Sequence, residues 1–475
     1  MSRPTEASDA GPARPGEQAP PSGGGTAVTV AARLDRLPIT RTHRLITVTI
    51  GIGMFFDIYE VFLTSAVSGA LTSEFHLTSA VLAPVLASTF VGMFIGSIVL
   101  GRMADRVGRR RAFMINLALY SLASLAGAFS PNAVWLMISR FVAGLGVGAE
   151  LPLADAYLSD MLPARQRGRY TAWAYTISFI AVPIVGFLAR GSVGHLAGIA
   201  GWRWIFALGA LGSAIVFLLR TTLPESPRWL EAVGRGPEAD SITSRIEAEA
   251  LRGGHRLTEP TRRDPEAPVR PARAGVRVLL TPPLRRRTLM MAVFQVFQVF
   301  GYYGFGTLVP LILAAKGYAL STSLLFTALT FLGYPVGSLL SLPLVERFER
   351  KYLVVGSVVA MAAFGLAFGF SNSMVPIVIF GFLYTAASNV FANGYHIYQA
   401  EIFPTAVRST AASGTYAISR LATGAMPFIL LPILAAVGAG WVFVIICGAL
   451  VVVALDIGLI GPRTTGLSTE DVVVA

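Results

Sequence analysis

The 49 residues from Tyr352 to Ala400 contain no Asp, Glu, Lys or Arg. As one helix rising 1.5 Å per residue they would run about 74 Å, more than twice the ~30 Å hydrocarbon core of a bilayer. The run is therefore two membrane crossings, with Ser371-Asn372-Ser373 as the turn between them. A charge in hydrocarbon is costly, so charges mark helix ends or functional sites. Polar breaks at 72–79, 101–111, 130–132, 163–169, 190–201, 316–321, 346–351, 404–408 and 435–440, with a long polar insert at 222–288, then divide the chain into twelve spans. Composition agrees, since 54% of residues are hydrophobic and 13% charged, about half the charged share of a soluble domain. A soluble enzyme and a disordered chain are excluded, and the single cysteine, Cys447, excludes a disulfide scaffold.

The expected fold is an all-α membrane protein. Residues 1–44, without the apolar core of a leader, read as a disordered tail; 45–221 and 289–461 are six-span halves; 222–288 is a helical linker; 462–475 is a second tail. All but five of the 38 Lys and Arg fall on the side of the termini. Arg190, Arg203 and Lys316 fall on the other side, and Arg140 and Arg420 lie within spans. Positive loops stay inside, so both termini are expected in the cytoplasm and the protein in the cell membrane. The net charge of +12 is thus a topology signal, and no nucleic-acid partner is expected.

Two motifs recur at one ungapped offset of 241 residues. Asp105-Arg106-Val-Gly-Arg109-Arg110 after the second span answers to Glu346-Arg347-Phe-Glu-Arg350-Lys351 after the eighth. Asp160, Pro163 and Arg167 after the fourth answer to Glu401, Pro404 and Arg408 after the tenth. The chain is thus two six-span pseudo-repeats, an arrangement that places a substrate site between halves near the midplane and suits alternating access. Asp105, Arg106, Arg109, Asp160, Arg167, Glu401 and Arg408 form two-signed clusters at helix ends, able to pair in one conformer and part in another. Topology anchoring is the plainer role for the same residues.

The chain resembles the major facilitator superfamily over roughly residues 45–461, through the 101–111 loop. Leu223-Pro-Glu-Ser-Pro-Arg-Trp-Leu230 is similar to the span-six ending of sugar porters and related branches. The second-half copy of the loop signature departs from the pattern, with Glu346 for Asp and no glycines.

Ionisable groups inside spans are functional hypotheses by default. Asp57 and Glu60 share one face of span one, and Arg140 lies at comparable depth in span four. Burial favours the protonated form of an acid and an ion pair the charged form, so exchange of partners between conformers would load and release a proton. A static buried salt bridge is the alternative. Asp57-Ile-Tyr-Glu60 resembles the Asp-Gly-x-Asp pattern of aromatic acid:proton symporters, with Ile58 and the longer Glu60 as departures. That resemblance implies proton coupling by Asp57 and Glu60 and core charge at Arg140 and Arg420. Glu150, in Gly-Ala-Glu150-Leu-Pro152-Leu-Ala-Asp155, is closer to the broader metabolite:proton symporters.

Arg420, halfway along span eleven, argues for an anionic substrate, because a guanidinium grips a carboxylate as a fork. Glu150 pulls the other way, holding a cation or proton, or neutralising Arg420 in the empty state. Gln295, Gln298 and Tyr302 in span seven and Asn389 and Asn393 in span ten complete the candidate substrate site; His396 offers a proton relay or a structural hydrogen bond. Gln298 is the 241-offset partner of Asp57. Each amide serves equally well as an interhelical hydrogen bond. Gly144-Leu-Gly146-Val-Gly148 lies inside an apolar helix and reads as close helix packing, not a phosphate loop. No Walker, zinc-hydrolase or nucleophile-elbow motif stands in a usable context, so no enzyme, cofactor or metal is expected. The sequence thus points to a monomeric secondary transporter whose partners are protons, a small molecule and the bilayer. An organic or aromatic acid leads; a sugar or polyol, or a transport-inactive sensor on the same scaffold, is the alternative.

Overall fold

The computed structural model describes residues 29–260, 276–282, 284–403 and 408–464. Among the described residues, twelve helices are long and apolar enough to cross a membrane. In the first half they are α1 (Arg41–Ala66), α2 (Ser79–Ala104), α3 (Arg109–Ala128), α4 (Ala133–Met161), α5 (Arg167–Ala189) and α6 (Gly201–Arg220). In the second they are α7 (Leu284–Ala315), α8 (Leu320–Arg347), α9 (Arg350–Phe370), α10 (Met374–Gln399), α11 (Gly414–Val437) and α12 (Ala439–Ile460). An even number of crossings puts both ends of the bundle on one face, here the terminal face; the opposite is the far face. The halves meet through α2 against α11 and α5 against α8. These are two copies of one relation, the second span of either half on the fifth of the other.

Glycines set the closest approaches. A Cβ added at Gly144 or Gly148 of α4 would stand 2.1 or 2.2 Å from the carbonyl oxygen of Thr89 or Met93, so α2 and α4 touch backbone to backbone. The Gly144–Gly148 stretch is helix packing, as its apolar setting implies. Between α11 and α12 the link is Gly438 alone, at φ +86°, a conformation that suits glycine.

Helices α5 and α8 each break once, at Ile180 and Leu332. Three residues beyond each break stands a proline, Pro183 or Pro335. A proline donates no N–H to the carbonyl four residues earlier, here Phe179 or Phe331, and the helix kinks. Within α7, residues Phe300–Gly304 widen into a π-helical turn that carries Tyr302 and Tyr303.

Residues 29–44 depart from the expected disordered tail. A helix at Val30–Asp35 packs under α1, and α1 itself starts at Arg41, capped by Thr40. Arg33 pairs with Asp240 and, at 2.6 Å, with Glu247; Arg36 pairs with Glu247 at 2.6 Å. Those acids lie on Gly236–Arg252, a helix of the linker whose Glu249 also accepts the Thr42 backbone N–H at 3.0 Å. The apolar stripe along this helix, including Ala239, Ile246 and Ala250, is what binds it to the first half.

Candidate functional site

Span-one carboxylates sit in a fully buried charge cluster of the first half. Arg140 donates to Glu60 at 2.6 Å with both side chains shut from solvent. The sequence allows Arg140 to serve Asp57 as well as Glu60, and the structure assigns it to Glu60. Neither oxygen of Asp57 meets hydrogen-bond geometry with a described residue. The Tyr120 hydroxyl and the Arg220 guanidinium stand beside it.

Arg220 is the residue that sequence reasoning missed. It falls at the last position of α6, where a cation reads as part of the basic face, yet it is 1% exposed and ion-paired with Glu150. Asn116 completes the Glu150 shell at 3.2 Å, and the Phe113 ring lies 4.2 Å from the guanidinium. Gly53, one turn before Asp57, makes room, because an added Cβ there would lie 1.9 Å from Nη2 of Arg220. The expectation that Glu150 neutralises Arg420 is therefore corrected: Glu150 answers to Arg220. A signal was available in the sequence, since a buried Glu150 demands a cation of its own half.

Arg420 keeps its charge for the centre. It is 3% exposed, makes no ion pair among the described residues, and lies 4.7 and 4.4 Å from the rings of Tyr303 and Tyr416. Its Nε and Nη1 have no hydrogen-bond partner among the described residues. Tyr302 packs edge-on against Tyr303 and Tyr334.

The amides are spent between helices. Gln298 donates to Gln295 and Ser419, Gln295 to Gln399, and Gln399 to Thr415, a chain of 3.0–3.2 Å bonds linking α7, α10 and α11. Asn389 donates to the Tyr334 carbonyl at 2.7 Å and Asn393 to Ser341 at 2.7 Å, tying α10 to α8. In this conformer these five amide donors hold the second half together.

The far face is closed. Phe62 packs on Phe331 and Tyr334, each at 5.9 Å, and Phe179 stacks on Tyr334 at 6.4 Å, so rings from both halves interdigitate. Farther out, an added Cβ at Gly186 would stand 2.9 Å from the Ala328 backbone. Toward the terminal face, Asp155 and His396 are exposed although they lie inside the bundle, so water reaches them from that side. The conformer is open to the terminal face.

On that face the two sequence motifs of the first half meet. Glu225 of the 223–230 motif accepts the Arg109 and Arg110 backbone N–H groups at 2.9 and 3.2 Å and caps α3. Gly108 fits there because φ is +98° and an added Cβ would meet the Glu225 carboxylate at 2.5 Å. Ser226 donates to Asp160 at 2.9 Å, and Arg109 stands 3.7 Å from Asp160. The repeat partners match, with Arg350 3.5 Å from Glu401. Arg167 lies 3.7 Å from Asp35, and Arg106 is exposed. The side chains of Asp105 and Arg408 lie outside the described residues.

Comparison with known proteins places this geometry. Residues 47–475 match the family described as "Sugar (and other) transporter". The chain is 33% identical to the putative metabolite transport protein YyaJ of Bacillus subtilis, over 82% of this chain and 86% of that one. It is 28% identical to the niacin transporter NiaP of Acinetobacter baylyi, over 93% and 99%. Its fold resembles the partially occluded inward open conformation of the xylose transporter XylE from E. coli, with TM-score 0.73, 21% identity, and 89% and 99% of the chains covered.

Proposed function

Because the chain belongs to the family of sugar and other transporters within the major facilitator superfamily, we propose that it carries a small organic carboxylate together with protons across the cell membrane. The observation that carries this reading is Arg420, a buried guanidinium between two tyrosine faces with no carboxylate of its own among the described residues. A buried unpaired cation is expensive, and a substrate anion is the natural compensation. The likeness to a transporter of niacin, itself an aromatic carboxylic acid, supports the same class.

Proton coupling falls to the first half. Asp57 is buried beside an Arg220 that is engaged by Glu150, so a proton on Asp57 leaves that pair undisturbed. Loss of the proton adds a second carboxylate competing for one guanidinium, and α1, α4 and α6 must rearrange to satisfy both. Glu60 and Arg140 hold α1 against α4 while this happens. With the basic terminal face in the cytoplasm, the conformer described above is the inward-open state of the transport cycle. Arg109–Asp160 and Arg350–Glu401 are proposed to change partners as that face closes, with Arg106, Arg167, Asp105 and Arg408 in the same clusters.

Uptake into proteoliposomes with an imposed pH gradient tests the reading. Accumulation of carboxylates should vanish when the gradient is collapsed, and Asp57→Asn should keep counterflow while losing uphill uptake. Arg420→Gln should weaken carboxylates far more than neutral analogues. Accumulation indifferent to the gradient overturns the coupling. The family match and the span-six motif favour a sugar or polyol as the second reading; equal loss of sugars and acids in Arg420→Gln would favour it.

A further inference from the structure

The charge at Arg420 has an opposite pole in the first half. Asp155 lies six residues before the end of α4, about 9 Å along the helix, and Arg420 lies twelve residues, about 18 Å, into the helix Arg408–Val437 of the opposite half, so Arg420 is the deeper of the two. Both oxygens of Asp155 accept from the Tyr175 hydroxyl at 3.0 Å, and Asp155 forms no ion pair among the described residues. The Tyr175 ring stacks on His396 at 6.3 Å, and His396 on Tyr395 at 4.2 Å. Tyr395 and Tyr416 are within electrostatic reach of Asp155 and of Arg420 alike. The Tyr395 and Tyr416 rings thus lie near both a water-reached anion on the first half and a buried cation on the second, neither of them ion-paired among the described residues.

We propose that Asp155, with Tyr175 and the His396 and Tyr395 rings, holds a cationic nitrogen of the substrate, so that the transported molecule is a zwitterion with its carboxylate on Arg420. This rests on the carboxylate reading of Arg420. Ring faces attract a cation and tolerate one without N–H donors, so ammonium, quaternary ammonium and pyridinium groups all fit the chemistry. A carboxylate alone touches one half of the bundle; a zwitterion touches both. Binding across the halves favours the conformer that brings them together over the substrate, which is the differential affinity a transport cycle needs.

The test uses pairs of ligands that differ only in the charged nitrogen: glycine betaine against 3,3-dimethylbutanoate, and 4-(aminomethyl)benzoate against 4-ethylbenzoate. Binding to the purified full chain is measured by calorimetry, in parallel with counterflow in proteoliposomes. For at least one spacing the zwitterion should bind about tenfold or more tighter than its carbon isostere. Asp155→Asn should bring that ratio to within about twofold while leaving the isostere unchanged, and Tyr175→Phe should lower it partway. Carbon isosteres that bind as well at both spacings, or a preference that survives Asp155→Asn, overturn the proposal. If Asp155→Asn fails to fold, a Tyr175→Phe ratio equal to the native one overturns it instead. Loss of carboxylate binding in Arg420→Gln keeps the underlying reading intact in either case, whereas its persistence shows that reading to have failed.

Discussion

Arg220 serves two carboxylates, and unequal substitutions expose that. Arg220→Gln leaves Glu150 and Asp57 buried with no cation of their own, and breaking a buried pair this way costs about 3–5 kcal/mol. Glu150→Gln removes one claimant and leaves Arg220 facing Asp57, so its cost is nearer that of a charged hydrogen bond, about 1.5–3 kcal/mol. For a half of this size, 1 kcal/mol moves the melting point by roughly 2–4 °C. Thermal unfolding of the detergent-purified protein, followed by intrinsic fluorescence, should show Arg220→Gln lower by roughly 6–20 °C and Glu150→Gln by roughly 3–12 °C, in that order. Adding Asp57→Asn to Arg220→Gln should recover part of the loss, because one stranded carboxylate is gone. Glu150→Gln matching Arg220→Gln, or no recovery from Asp57→Asn, would refute the shared-guanidinium reasoning.

Three further outcomes are expected. Gly186→Leu forces α5 away from Ala328 on the far face, so a Tyr334→Cys probe in a Cys447→Ser background should become reachable by an impermeant thiol reagent from that side; unchanged protection would count against the closed plug. Gly148→Leu, with backbone 2.2 Å from the added Cβ, should abolish recovery of monodisperse protein, and a well-behaved gel-filtration peak would contradict the α2–α4 contact. Burial alone would raise the Glu247 carboxyl, but hydrogen bonds from Arg33 and Arg36 hold it below the ordinary carboxylate range. The clamp it forms is fully present above the unfolded value and is lost as pH falls through the lowered folded one. A spin label at Ala248→Cys, again without Cys447, should therefore gain mobility only in acid below that range, and mobility rising near neutral pH would argue against the pairing.

Span number, repeat and glycine packing were legible because each leaves a periodic or compositional mark: an uncharged run has one physical meaning at 49 residues, and an offset of 241 recurs. Partner assignment was less legible. Asp57, Glu60, Arg140 and Glu150 all announce themselves as charges in apolar helices, but which acid takes which arginine depends on helix rotation, which periodicity leaves open. Arg220 was hidden by position, since a cation at a helix end looks like an anchor until the guanidinium is seen to reach back past Gly53. The amides Gln295, Gln298, Asn389 and Asn393 illustrate the converse, since a polar residue in a span signals need for a partner without saying whether helix or ligand supplies it.

The facing kinks in α5 and α8 give the bundle a fold line. Each frees a carbonyl at Phe179 or Phe331, and those same residues and their neighbour Tyr334 make the ring plug. Bending there swings only the segments beyond the breaks, so Phe331 and the Gly186–Ala328 contact are able to move away while the segments below, joined by Thr176 and Ser338 at 3.1 Å, keep their contact. The hinge thus lets one door move without the whole wall.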